Sequence, residues 1–60
     1  LGTIEQIKRA EGAVGLLHLG LSPLDVADQA GYADQPHLTR SLKRFVGQTP
    51  SQVAAAVLDG

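Results

Sequence analysis

The chain has 60 residues and no cysteine, and its aromatic total is one Phe and one Tyr. Without a thiol it can form no disulfide framework, no thiolate metal site and no cysteine nucleophile. So few aromatics argue against a β-sandwich, which draws on aromatic and β-branched side chains to fill its core. No apolar run approaches the ~18 residues of a membrane span, and no basic, apolar, small-residue order marks a signal peptide. A soluble, cytoplasmic chain without a membrane partner is expected.

Catalytic patterns are absent too. His18 and His37 fall on different expected helices, without metal-binding HExxH spacing. Asp25 and Asp28 share one helix face, but an exposed carboxylate pair is ordinarily solvated and does no acid–base work. Ser22, Ser41 and Ser51 lack a GxSxG-like elbow, and the glycines form no phosphate-cradling loop. No enzyme, cofactor or metal is expected. A chain this short lies at the lower edge of independent stability, so it reads as one unit of something larger.

What is present is helix punctuation. Thr3 with Gln6 has the form of a capping box, Ile4, Ile7, Val14 and Leu17 follow at helical spacing, and Gly20 is a natural stop. A helix starting upstream of Leu1, with Thr3 merely inside it, is the alternative. Gly12 and Gly15 each weaken that helix by about 1 kcal/mol relative to Ala, either to allow a close approach or as a tolerated cost. Ser22-Pro23 opens a second helix lined by Leu24, Ala27 and Ala30 and ended by Gly31. Asp34 is the best cap for a third, although Pro36 biases Gln35 away from the α region and allows a start one residue later. Leu38, Leu42 and Phe45 give this helix one apolar stripe, widened by Val46 and stopped by Gly47. Thr49-Pro50-Ser51-Gln52 then repeats the start signal, with Val53 and either Val57 or Ala56 facing inward. The expected fold is all-α, a small bundle of about four helices with short connections.

The net charge of −1 conceals an uneven distribution. Glu5, Glu11, Asp25, Asp28 and Asp34 all precede Gln35, and no acid occurs from Gln35 to Leu58, where Arg40, Lys43 and Arg44 stand. The third helix is therefore a cationic element in a nearly neutral chain. Its outward positions carry Gln35, His37, Thr39, Arg40, Lys43 and Arg44. Gln can pair with the N6/N7 edge of adenine, Arg with O6 and N7 of guanine, and Lys or Arg one turn on with phosphate oxygens. A short helix, a tight turn and a helix bearing such side chains near its start have the form of a helix-turn-helix reader of double-stranded DNA. Ala27 and Gly31 are expected at the helix crossing, where larger side chains would force the helices apart. A plain solvated face is the competing account of the same polar residues.

The stretch from Leu21 to Val53, LSPLDVADQAGYADQPHLTRSLKRFVGQTPSQV, resembles the second helix-turn-helix of AraC/XylS-type bacterial transcription regulators. The resemblance rests on Ala27, Gly31-Tyr32, Asp34-Gln35, His37-Leu38, Arg40, Lys43-Arg44-Phe45, Gly47 and Thr49-Pro50. Upstream, Arg9, Ala13 and Leu16-Leu17 resemble the helix that joins the two helix-turn-helix units of that family. It implies a homeodomain-like unit with residues 1–20 as connecting helix, 22–47 as helix-turn-helix and 49–58 as closing helix. The recognition helix, about 35–46, would lie in the major groove with Gln35, His37 and Arg40 nearest the bases. Thr39, Lys43 and Arg44 would be backbone or flanking contacts, and Ser22 would open a helix whose N–H groups face a phosphate. Pro36 stands where the family often has a polar side chain, so one potential base contact becomes apolar. Tyr32, Leu38, Leu42 and Phe45 would be core.

The resemblance also implies partners within the same protein: a first helix-turn-helix unit and the effector or dimerisation domain that such regulators often carry. One unit alone would bind DNA in the non-specific range of ~10⁻⁴–10⁻⁶ M. The rival reading is a helical protein-interaction module that docks a partner domain through an apolar patch at Leu16–Leu21.

Overall fold

Three glycines at positive φ, Gly20, Gly31 and Gly47, each followed within three residues by a polar cap, divide the chain. A computed structural model describes residues 2–59, which form α1 (Thr3–His18), α2 (Pro23–Ala30), α3 (Gln35–Phe45) and α4 (Pro50–Asp59). No strand occurs among the described residues, so the fold is all-α as expected.

The helix ends follow local chemistry, with one exception. Gly20 lets the chain turn back on α1, so that its N–H bonds the Leu17 carbonyl at 3.0 Å and the Leu21 N–H bonds that of Leu16 at 3.3 Å. Ser22 Oγ accepts the Asp25 N–H at 3.2 Å, and Asp34 Oδ1 accepts the His37 N–H at 2.8 Å. Thr49 and Gln52 form a reciprocal capping box: Gln52 Oε1 accepts the Thr49 N–H at 2.8 Å, and Thr49 Oγ1 accepts the Gln52 N–H at 3.1 Å. The exception is α1. Gly2 occupies its cap position without a side-chain bond, and Thr3 is already helical, so the capping box expected from Thr3 and Gln6 does not form.

The core lies where α1 meets the other three helices. Its fully buried members include Ala10 and Ala13 of α1, Val26 of α2, and Leu38 and Leu42 of α3, with Leu17, Ala27, Tyr32 and Val53 nearly so. Leu17 sits one turn after Ala13, and the two alanines keep α1 slim on its buried face.

Several expected core positions are elsewhere. Every described residue of α1 before Ala10 is exposed, Ile4 at 71% and Ile7 at 37%, because the other helices cover α1 only from Ala10 onward. In α2 the inner face is Val26, Ala27 and half-buried Ala30, which turns Leu24 outward. Val53 of α4 is buried with Pro50, whereas Ala56 and Val57 face outward. Phe45 is half-buried against the core's edge.

The glycines are not close-packing devices. A Cβ added at Gly12, Gly15 or Gly31 would meet no atom within 4 Å. Gly12 and Gly15 are thus a tolerated cost within α1. Gly31 serves through its backbone: φ is +86°, and the turn lets the Tyr32 N–H reach the Ala27 carbonyl at 2.8 Å. The expectation that a small side chain was needed there for the crossing of α2 and α3 is therefore corrected; the left-handed turn is the requirement.

Candidate nucleic-acid interface

Burial of Leu38 and Leu42 fixes how α3 is turned. The residues that point away from this stripe must then face outward, and Pro36, Arg40, Lys43 and Arg44 are all exposed. Gln35 and His37 are exposed as well, at the entry to the helix. Asp34 caps α3 and Gln35 is its first helical residue, so the later start allowed by Pro36 does not occur. Pro36 lies in the first turn, where no intrahelical N–H bond is lost. Lys43 and Arg44 occupy the last turn, where the negative end of the helix dipole favours cations.

Two of the polar residues are held by their own element. Thr39 is half-buried, and its hydroxyl donates to the Gln35 carbonyl at 3.1 Å, leaving it only acceptor capacity outward. His37 accepts the Ala33 N–H at Nδ1, 3.4 Å away, which in the neutral ring leaves the proton on Nε2. The His37 ring also meets Tyr32 edge-on, with centroids 5.2 Å apart and planes at 84°. Tyr32 is anchored in turn: its hydroxyl and Ser41 Oγ are 2.9 Å apart.

Beside this face runs a cleft of about 380 Å³ between α1 and α3. Gln6 and Arg9 line it from α1, and His37, Arg40, Ser41 and Arg44 from α3, with the rings of Tyr32 and Phe45 between. The Arg9 guanidinium lies 5.8 Å from the Tyr32 centroid, and that of Arg44 lies 5.3 Å from the centroid of Phe45. Three arginines from two helices therefore line one cleft. Sequence reasoning placed Arg9 on the connecting helix and had no signal for this arrangement, because it depends on how α1 crosses α3. It likewise had no signal for Ser41 as the anchor of Tyr32.

Ser22, expected near a phosphate, is exposed at the start of α2 with its hydroxyl engaged as the cap, and Asp25 stands in the same first turn. Among the described residues there is no group of three or more His, Cys, Asp or Glu that could hold a metal ion. No helix among them is long and apolar enough to cross a membrane.

A capped eight-residue helix, a left-handed glycine turn and an acid-free eleven-residue helix with its basic side outward form a helix-turn-helix. No curated protein and no solved structure matches the chain. The family model for bacterial regulatory helix-turn-helix proteins of the AraC type matches residues 20–53, from the glycine that ends α1 to the first buried valine of α4. The chain belongs to the AraC family of bacterial regulatory helix-turn-helix proteins, a family of DNA-binding transcription regulators.

Proposed function

We propose that this chain reads DNA sequence by laying α3 in the major groove, as one helix-turn-helix unit of a bacterial transcription regulator. One observation supports this above the others. The side of α3 opposite buried Leu38 and Leu42 carries Arg40 and Lys43, and no acid occurs between Gln35 and Leu58 to neutralise them. Gln35, His37 and Arg40 are the base readers, and Pro36 adds an apolar contact of the kind that suits a thymine methyl. His37 Nε2, left outward by the Ala33 N–H bond at Nδ1, suits an acceptor such as a purine N7. Lys43 and Arg44 hold phosphates, Thr39 flanks them as an acceptor, and the N-terminus of α2 at Ser22 meets the backbone on the other side. The role is binding and positioning, not catalysis. On this reading residues 1–60 are a single subdomain, and a companion helix-turn-helix elsewhere in the protein supplies the rest of the affinity.

The apolar-docking alternative finds less support. Leu17 is buried, Leu16 and Leu21 pack against the core, and only Leu19 of that group stands out, at 77% exposure.

The test is a pair of substitutions measured on a panel of duplexes. Arg40→Ala is expected to cost about 1–3 kcal/mol and to relax preference at one base position. Lys43→Ala is expected to weaken all duplexes alike and to reduce the salt slope by about 0.9. If Arg40→Ala weakens every sequence equally, Arg40 is a phosphate contact; if neither change affects binding, α3 is not the reader.

A further inference from the structure

We propose that Arg9 of α1 is a second-element contact to the DNA backbone, forming with Arg44 of α3 a seat for one phosphodiester beside the groove-facing surface. This rests on the DNA-reading role of α3 and extends the interface to a helix outside the helix-turn-helix. Arg9 lies before the matched residues 20–53.

Position comes first. On α3, Arg44 lines the cleft that faces α1, one turn after Arg40 at the same cleft's margin. Arg9 and Gln6 close the other side of the same cleft. A helix seated in the major groove has the sugar-phosphate backbone along its flanks, so the Arg9 and Arg44 side of the cleft faces phosphate, while His37 and Arg40 at its margin reach base edges.

Chemistry comes second. The cleft is lined by three arginines, an imidazole, an amide and the paired hydroxyls of Tyr32 and Ser41, and by no carboxylate. Glu5, one turn before Arg9 on α1, lines the adjoining depression with Gly2, Gln6 and Arg9, so Arg9 stands between that acid and the cleft. Guanidinium is the side chain best matched to a phosphate's paired oxygens.

Preorganisation comes third. Arg9 is exposed yet rests against the Tyr32 ring at 5.8 Å, and Tyr32 is held by Ser41 at 2.9 Å. The ring limits where the guanidinium goes, which lowers the entropy lost on binding. Lys8, one residue earlier and also exposed, lines no part of this cleft and has no such platform.

The experiment measures binding of the full chain to a random-sequence duplex of about two helical turns as salt is varied. Arg9→Ala is expected to lower the slope of log K against log salt by about 0.9, so its affinity falls about three- to four-fold less than wild type between 50 and 200 mM salt. Arg9→Lys is expected to restore most of the slope, and Lys8→Ala to leave it unchanged. Circular dichroism melting confirms that each variant is folded. Equal effects of Lys8→Ala and Arg9→Ala would overturn the proposal by showing a diffuse charge effect. An unchanged slope for Arg9→Ala beside a reduced one for Lys43→Ala would overturn it while leaving α3 as the reader. If Lys43→Ala and Arg40→Ala are also silent, the DNA reading of α3 fails and this proposal with it. Titration with inorganic phosphate alone separates the two sources of the anion. Arg9-dependent stabilisation at millimolar phosphate would assign the cleft to a free ion and overturn the backbone contact.

Discussion

Gly12, Gly15 and Gly31 are the same residue under two different constraints, and substitution separates them. Gly12 and Gly15 lie inside α1 with open space around an added Cβ, so Gly12→Ala and Gly15→Ala should each stabilise the chain by about 0.5–1 kcal/mol. Gly31→Ala should instead lower the melting temperature, because φ of +86° is costly for any residue with a Cβ. Thermal denaturation of the three variants checks both signs. A destabilising Gly12→Ala would show that α1 is constrained by something other than its own backbone. Leu38→Ala belongs to a heavier class. Leu38 is fully buried at the junction of the helices, and its truncation should cost about 2–5 kcal/mol by leaving a cavity. In a chain this small, that loss would show as a largely unfolded circular dichroism spectrum at room temperature.

Elements are set by their ends. The Thr49–Gln52 box satisfies two backbone or cap donors of α4, and Thr49→Ala should cost about 1 kcal/mol, read as a lower urea midpoint with the slope unchanged. Asp34→Ala should cost a similar amount and loosen the entry of α3, where Gln35 and His37 sit. These ends were legible in the sequence because capping chemistry is local: Ser22, Asp34 and Thr49 each act within three residues. The face that a helix buries was less legible. Ile4, Ile7 and Leu24 have the apolarity and spacing of core residues, yet they point outward, since burial depends on where the neighbouring helices end. Thr3 misled for a related reason. It has a capping sequence, but the backbone is already helical there, so its hydroxyl has no free end to cap. The outward residues of α3 were legible because its inner stripe is unambiguous: Leu38 and Leu42 settle the rotation, and the polar residues follow. Arg9 was not, because its neighbours Tyr32 and Arg40 are distant in sequence.

For the whole molecule, charge is organised by helix and not by net balance. An overall charge of −1 would disfavour DNA if it were spread evenly, but Arg9, Arg40 and Arg44 line one cleft between α1 and α3, and Lys43 is exposed on α3 beside them in sequence. Binding to duplex DNA should therefore fall steeply with salt despite the acidic pI of about 6.0. A salt-insensitive association would point instead to the apolar groove of Ile7, Val14, Phe45 and Val46 as the contact.

The rotation of α3 has an evolutionary corollary. Its folding determinants, Leu38 and Leu42, and its outward residues, Gln35, Pro36, Arg40 and Lys43, occupy disjoint sets of positions. Mutation can therefore change the second set while the first keeps the scaffold intact. A library randomised at those four outward positions should yield mostly folded proteins, which would let lineages of such regulators acquire new target sites without passing through unstable intermediates.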